Sequence, residues 1–437
     1  MSDERPKGLL GRLFEIRPGE GATMLLLALN VFILLTAYYL LKVVREPLIL
    51  VGGGAEVKSY AAAGQALLLL GVVKGFDALA HRYGRMRLIA VTMLFFIASL
   101  VTFTVLHGLD VPVGVPFYLW LGVFSMTAVA QFWSLANDVY TTEQGKRLFA
   151  LIGVGASLGA VTGAALAKYL YEPLGPAMLM LVAAGMLALC LGLSFAVDRR
   201  ERPQKREKDK PADDETIGGD SAIRLLLKDR YLLGIAAFVF ILVLINTNGE
   251  YILDRVLVDA AKSRFTDEKA LESYIAQFKG DFFVWVNVIG VALQLFVVSR
   301  LLKYLGLKVA VFIMPAVVLV GYIALALAPV LAIIRIEKIA ENSTDYSVQN
   351  TTRHALFLPT SRAAKFKVKA LIDGFLVRMA DVASSGVVVL GATLAFATKH
   401  FIWINIALAA GAVAVAFMMS VLVRHREKPG EDGALPT

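Results

Sequence analysis

Three apolar stretches of this chain carry polar residues at helical spacing, and those residues could bind charge. The first holds Asn246, Glu250 and Asp254, each four positions from the last, with Arg255 beside them. The second holds Arg335, Lys338, Asn342, Asp345 and Gln349, spaced 3, 4, 3 and 4, with Glu337 and Glu341 adjacent. The third holds Asp373, Arg378 and Asp381. Near the amino end Tyr38, Lys42 and Arg45 fall on one helical face, followed by Glu46 and Pro47. Residues three or four apart meet on a helix, so each set forms one stripe. Lys74 and Asp77, three apart, read as an internal pair.

Covalent chemistry is not indicated. No phosphate-cradling Gly-Lys-Ser/Thr loop, nucleophile elbow or metal-spaced histidine cluster occurs, and the chain has five His and one Cys. No enzyme activity, cofactor or metal is expected. The cations Lys42, Arg45, Lys74, Arg255, Arg335, Lys338 and Arg378 come from both halves of the chain. That is more positive charge than proton coupling needs, and it suits a polyanion, because guanidinium and ammonium groups bind phosphate oxygens strongly in a dry site. Glu46, Asp254, Asp345 and Asp381 are placed to pair with such cations or to gate them. Tyr38, Tyr39, Phe132 and Trp133 could stack on a flat ring or serve only in packing.

The elements that must hold these stripes are membrane spans. The 437 residues are 58% hydrophobic, and a span needs about 20 apolar residues. Twelve spans are predicted, at 22–45, 57–80, 88–107, 115–139, 148–170, 175–197, 231–255, 279–302, 307–328, 330–350, 369–397 and 401–423. The fold class is therefore all-α, a polytopic membrane protein of two six-helix bundles. A cytoplasmic tail (1–21), an N-terminal bundle (22–197), a charged linker (198–230), a C-terminal bundle (231–423) and a second tail (424–437) follow. The net charge of +9 sits in alternate short loops, which by the positive-inside rule places both termini in the cytoplasm and gives no reason to expect a nucleic-acid partner. A charged residue inside a span is costly and marks a wet cavity or ligand path. At the end of a span it can instead snorkel to the interface, and both readings stand for Lys42 and Arg45. For Asp254 and Arg255, a fixed pair at the bilayer edge is the alternative to a ligand role. The loop 256–278 is expected to form an external helical hairpin or flap, and Gly153, Gly155, Gly159 and Gly163 in the fifth span to let helices approach closely.

The halves repeat weakly. Tyr39 to Arg45 is echoed by Tyr251 to Arg255, and the turn Asp77 to Arg87 by Arg300 to Lys308. Such a 6+6 chain is how many secondary transporters are built. The turn from Asp77, with Gly84-Arg85 and Arg87, resembles the loop between spans two and three of the major facilitator superfamily, with His81 where that family usually has an acid.

Four further blocks resemble the ATP/ADP translocase family of intracellular bacteria and plastids. They are Leu40-Leu-Lys-Val-Val-Arg-Glu-Pro-Leu48; Phe132-Trp-Ser-Leu-Ala-Asn-Asp-Val139 with Lys146 to Ala156; Glu250 to Arg255; and Asp345-Tyr-Ser-Val348 with Leu356 to Arg362, Lys367 to Asp373 and Arg378. Where that family carries an acid early in span four, this chain has Trp120-Leu121-Gly122, and Asp381 stands where a cation is expected. The resemblance implies a major-facilitator-like carrier in a bacterial inner membrane that exchanges or imports nucleotides by alternating access and works as a monomer. On this reading the cations Lys42, Arg45, Arg255, Lys338 and Arg378 are expected to hold phosphates, with Glu250, Asn342 and Tyr38 at the same site. The rival readings are a permease for another organic anion or a proton-coupled solute, and a non-transporting scaffold whose stripes are internal salt bridges.

Overall fold

The computed structural model describes residues 20–201 and 221–427. Most of the expected linker and most of both tails lie outside the described residues. Every regular element among the described residues is helical.

Nine helices there are long and apolar enough to cross a membrane. Two of them are double length, and each is broken at one glycine. Glu20–Arg82 breaks at Gly54 (φ 72°, ψ −177°) and Thr142–Glu201 at Gly175 (φ 69°, ψ 169°). Only glycine visits that region readily. At Gly175 the following Pro176 also demands an extended ψ. The breaks yield α1 (20–53) and α2 (55–82), then α5 (142–174) and α6 (176–201). Between them lie α3 (Arg85–Gly108) and α4 (Gly114–Val139). The rest are α7 (Arg230–Lys262), α8 (Glu268–Tyr304), α9 (Gly306–Leu327), α11 (Ala364–Thr393) and α12 (Thr398–Glu427). α10 (331–356) is too polar to count as a span by composition, because it carries the second stripe. With it, the helices match the twelve predicted spans one for one.

Several helices overrun their apolar runs. α1 was expected to end at Arg45, yet Pro47 lies inside the helix. Proline removes one hydrogen bond and kinks a helix without having to end it. α7 passes Arg255 to reach Lys262, and α8 begins at Glu268. Segment 256–278 is thus the ends of α7 and α8 about a short turn, not a separate flap. α10 changes to π geometry at Asp345–Gln349, and α11 at Ala364–Val368 and Leu371–Leu376. Such bulges are frequent at functional sites.

The described chain forms two compact units. One comprises 20–52, 68–201 and 267–284; the other comprises Gly53–Leu67, 221–266 and 285–427. Each ties its first long helix to its last through a buried asparagine. Asn30 of α1 donates to Ser194 Oγ (2.9 Å) and the Cys190 carbonyl (3.2 Å) of α6. Asn248 of α7 donates to Asn405 Oδ1 of α12 (2.6 Å), and Asn405 donates to the Ile245 carbonyl (3.2 Å).

In the first unit a side chain at Gly155, Gly159 or Gly163 of α5 would strike the Ala28, Phe32 or Thr36 carbonyl of α1, whereas Gly153 has open space. Gly159→Leu is therefore expected to lower stability by about 1–3 kcal/mol, the usual cost of overpacking. Gly153→Ala should melt like wild type in detergent. Trp120 stacks on Phe124 at 5.5 Å and 4° and meets Phe96 edge-on at 5.7 Å, so an aromatic core fills the α3–α4 contact.

Candidate functional site

The sequence-predicted residues fall into a cluster in each unit. In the first unit they come from α1. The Tyr38 ring lies 5.2 Å from Tyr39 and 6.4 Å from Phe124. Lys42 Nζ stands 4.2 Å from the centre of the Phe283 ring and 5.2 Å from that of Tyr39. The Arg45 guanidinium lies 4.4 Å over Tyr118 and pairs with Glu46, Nε to Oε1 being 3.0 Å. Cations over aromatic faces are held by the ring quadrupole. Both cations lie within α1, about two to three turns before its end at residue 53. Glu46 is fully buried and also faces Lys279 Nζ of α8 at 3.5 Å. Lys279, likewise fully buried, is a site residue that the sequence did not single out. It sits where the apolar run of span eight begins, and looked like a flanking cation. Next to it Asp281 takes Lys168 of α5 at 2.7 Å. Arg85, the first residue of α3, joins Asp138 of α4 (2.6 Å) and Asp198 of α6 (2.8 Å). The Lys74 and Asp77 side chains lie outside those described, although their backbones are helical.

In the second unit the stripes of α7 and α10 face each other. Lys338 is fully buried; its Nζ lies 2.9 Å from Glu341 Oε2 and 3.6 Å from Glu250 Oε1, and donates to the Asn246 carbonyl at 3.1 Å. Asn342 donates to Glu250 Oε1 (2.9 Å) and accepts from Asn246 Nδ2 (2.8 Å). Asn246, Glu250, Lys338 and Asn342 thus form one network. Alongside it, Asp381 of α11 accepts from Thr247 (2.9 Å) and pairs with Arg378 at 3.4 Å. A cavity of about 480 Å³ opens here, lined by Asn246, Asp345, Gln349, Arg353, Arg378 and Asp381, with Tyr346 and an apolar wall from α7. That volume is in the range of small-molecule sites.

Asp254 and Arg255 go elsewhere and do not pair with one another. Asp254 takes Lys58 of α2 at 2.6 Å. Arg255 donates to Tyr251 Oη and to the Phe396 carbonyl, both at 3.1 Å. Lys58 and Arg353 are further residues that the sequence gave no reason to pick. Among the described residues no cluster of three or more His, Cys, Asp or Glu is arranged to hold a metal.

The two clusters suit reversible capture of an anion. Each cation already has a carboxylate or an aromatic face, which an incoming phosphate could replace without leaving the cation bare.

Residues 77–336 match the family model of the Major Facilitator Superfamily. The chain is 25% identical over 286 residues to ADP,ATP carrier protein 1, chloroplastic, of Arabidopsis thaliana, covering 57% of this chain and 43% of that protein. It is 22% identical over 282 residues to ADP,ATP carrier protein 1 of Chlamydia pneumoniae, covering 55% and 53%. The chain thus spans about half the length of these relatives. Among solved structures, the nucleoside transporter NupG superposes with a TM-score of 0.67 at 12% identity, over 92% of this chain and 99% of that one. A bacterial homologue of the iron transporter ferroportin, in its inward-facing state, superposes with a TM-score of 0.68 at 14% identity, over 92% and 99%.

Proposed function

The chain belongs to the Major Facilitator Superfamily, and from that premise we propose that it carries nucleotides across a bacterial inner membrane, as an ATP/ADP exchanger or a nucleotide importer, by alternating access. The observation that carries the proposal is the buried Lys338, held between Glu250 and Glu341 beside a cavity that Arg378 and Asp381 line. In the empty carrier these carboxylates neutralise the cations, and phosphate oxygens replace them on binding. A ligand shifts a conformational equilibrium only through such a difference in contacts. Likeness to ADP,ATP carrier proteins supports the substrate class.

In this reading Lys338, Arg378 and Arg255 on one unit, and Lys42 and Arg45 on the other, hold phosphates. Tyr38 offers a ring face to the base, and Asn342 fixes the Glu250 carboxylate. Asp254, with Lys58, and Glu46, with Arg45 and Lys279, act in gating, as do Asp345, Asp381 and the Lys74–Asp77 pair. Both termini are cytoplasmic by the distribution of Lys and Arg, and one copy suffices for transport.

Binding of ADP to the purified carrier tests the phosphate site. Arg378→Gln is expected to weaken ADP binding roughly 10- to 100-fold, the loss of a charged hydrogen bond, and to leave any binding of adenosine unchanged. Equal binding of ADP and adenosine, or an unaltered ADP affinity in Arg378→Gln, would contradict the assignment.

A further inference from the structure

One corner of the second unit carries charge that the transport site does not use. A short helix, Ala222–Lys228, precedes α7 there, α11 begins at Ala364 and α10 ends near Leu356. Tyr231 of α7 fastens the corner, for it is buried and its hydroxyl donates to the Leu356 carbonyl at 2.7 Å. The short helix packs against Ala364–Val368 at the start of α11. Side chains set both of its ends. Ser221 Oγ accepts from the Arg224 N–H at 3.3 Å. Asp229, in extended backbone, separates the helix from α7 and accepts from the Tyr231 N–H at 2.9 Å. The helix is therefore an element of its own and not the first turns of a span.

Its outer surface mixes two chemistries. Ile223 and Leu227, four apart, are 59% and 65% exposed. Arg224 and Lys228, also four apart, are exposed beside them. Residues at that spacing share a row on a helix, so an apolar row runs next to a cationic one. The start of α11 continues the pattern, with Lys365 exposed and Phe366 59% exposed. Segments 221–230 and 353–373 together hold eight Lys and Arg against two Asp. Of those acids Asp229 caps α7, and Asp373 already holds Lys369 at 3.0 Å and faces Arg353 at 3.7 Å. Cations thus far outnumber acids at this corner.

Neither a lipid-facing stretch nor a wetted loop accounts for the mixture. Lipid hydrocarbon excludes cations, and a loop in water gains nothing by showing Ile, Leu and Phe side by side. The headgroup layer suits both, because apolar side chains reach the acyl chains while Lys and Arg meet phosphate. Clusters of about four to eight basic residues beside a span draw anionic lipids. α7 and α11 begin on the side that the distribution of Lys and Arg places in the cytoplasm.

We infer that Ile223, Arg224, Leu227, Lys228, Lys365 and Phe366 form a binding site for an anionic phospholipid of the cytoplasmic leaflet. The guanidinium and ammonium groups take the phosphodiester, and Ile223, Leu227 and Phe366 lie against the acyl chains. A lipid held there bridges the short helix and α11. None of the six residues lines the cavity beside Lys338, so the inference needs the chain's place in a membrane and nothing of its substrate.

Native mass spectrometry of the full chain in mild detergent, offered phosphatidylglycerol and phosphatidylcholine of matched acyl chains, tests the site. Wild type is expected to retain phosphatidylglycerol in preference. Arg224→Gln combined with Lys228→Gln and Lys365→Gln should cut that preference roughly 10-fold or more, since each basic residue near an anionic surface adds a several-fold gain. The replaced side chains are exposed, so the variant should melt like wild type. If it does not, Lys365→Gln alone should still lower the preference several-fold. Excess inorganic phosphate should not displace the lipid. Equal retention of the two lipids by wild type would overturn the inference, as would a wild-type preference in a folded triple variant. Displacement by inorganic phosphate would overturn it too, because the corner would then take a free anion and not a lipid.

Discussion

Lys338→Met should lose ATP uptake to background and melt well below wild type. The two losses have separate causes. Lys338 is fully buried against Glu341 and Glu250, so removing its ammonium leaves carboxylates uncompensated. Breaking a buried pair in this way costs about 3–5 kcal/mol. Uptake fails because no other group in the Asn246–Glu250–Asn342 network is cationic. A double variant, Lys338→Met with Glu341→Gln, separates the causes by removing the charge left behind. It should regain most of the melting temperature and none of the uptake. Uptake restored along with stability would reduce Lys338 to a structural residue and favour the scaffold reading of α10.

The second large effect is expected at Glu46→Gln. This carboxylate has no exposed surface and sits between Arg45 and the equally buried Lys279. Neutralising it removes the carboxylate that the buried Lys279 faces, beside the Phe282 ring (5.6 Å), with a loss again of about 3–5 kcal/mol. Arg45 should suffer less, because its guanidinium keeps the Tyr118 face. Pairing Glu46→Gln with Lys279→Met should therefore recover most of the stability, whereas pairing it with Arg45→Met should recover little. Thermal melting of the four proteins in one detergent decides between them. Equal rescue by both partners would mean that Glu46 serves the two cations alike.

What was legible in the sequence is what is local. The spacing of Asn246 and Glu250, and of Lys338 and Asn342, is helical periodicity, and it put these side chains on the facing sides of α7 and α10. The close approach of α5 to α1 was likewise written in the glycine spacing. What was not legible depends on partners far along the chain. Asp254 looked ready to pair with its neighbour Arg255, but Asp254 takes Lys58, and Arg255 turns to Tyr251 and the Phe396 carbonyl. Lys58 and Lys279 both sat at the start of an apolar run, where a cation normally snorkels. Helices α1, α7 and α8 run past their apolar stretches, so polar residues near their ends are held by protein groups. The apolar run placed the end of the first span at residue 45, and the helix runs on through Pro47. The π turn at Asp345 has no sequence mark, since it reflects one displaced hydrogen bond. Glu337 lay beside the polar stripe and was not singled out, yet it is buried, and neither of its oxygens has a hydrogen-bond partner among the described residues.

Trp120 bears on substrate range. Where the translocase family carries an acid, the α3–α4 contact here is an aromatic stack, closed to water and to charge. The charged machinery of this chain is therefore concentrated on α1, α7, α8, α10 and α11.

Uptake of labelled ATP into proteoliposomes, either preloaded with ADP or left empty, tests the central claim most directly. The account predicts uptake that grows with internal ADP and disappears in Lys338→Met with Glu341→Gln, the variant whose stability is restored. No ATP uptake in loaded or empty vesicles, from protein shown to be folded, would contradict nucleotide transport by this chain.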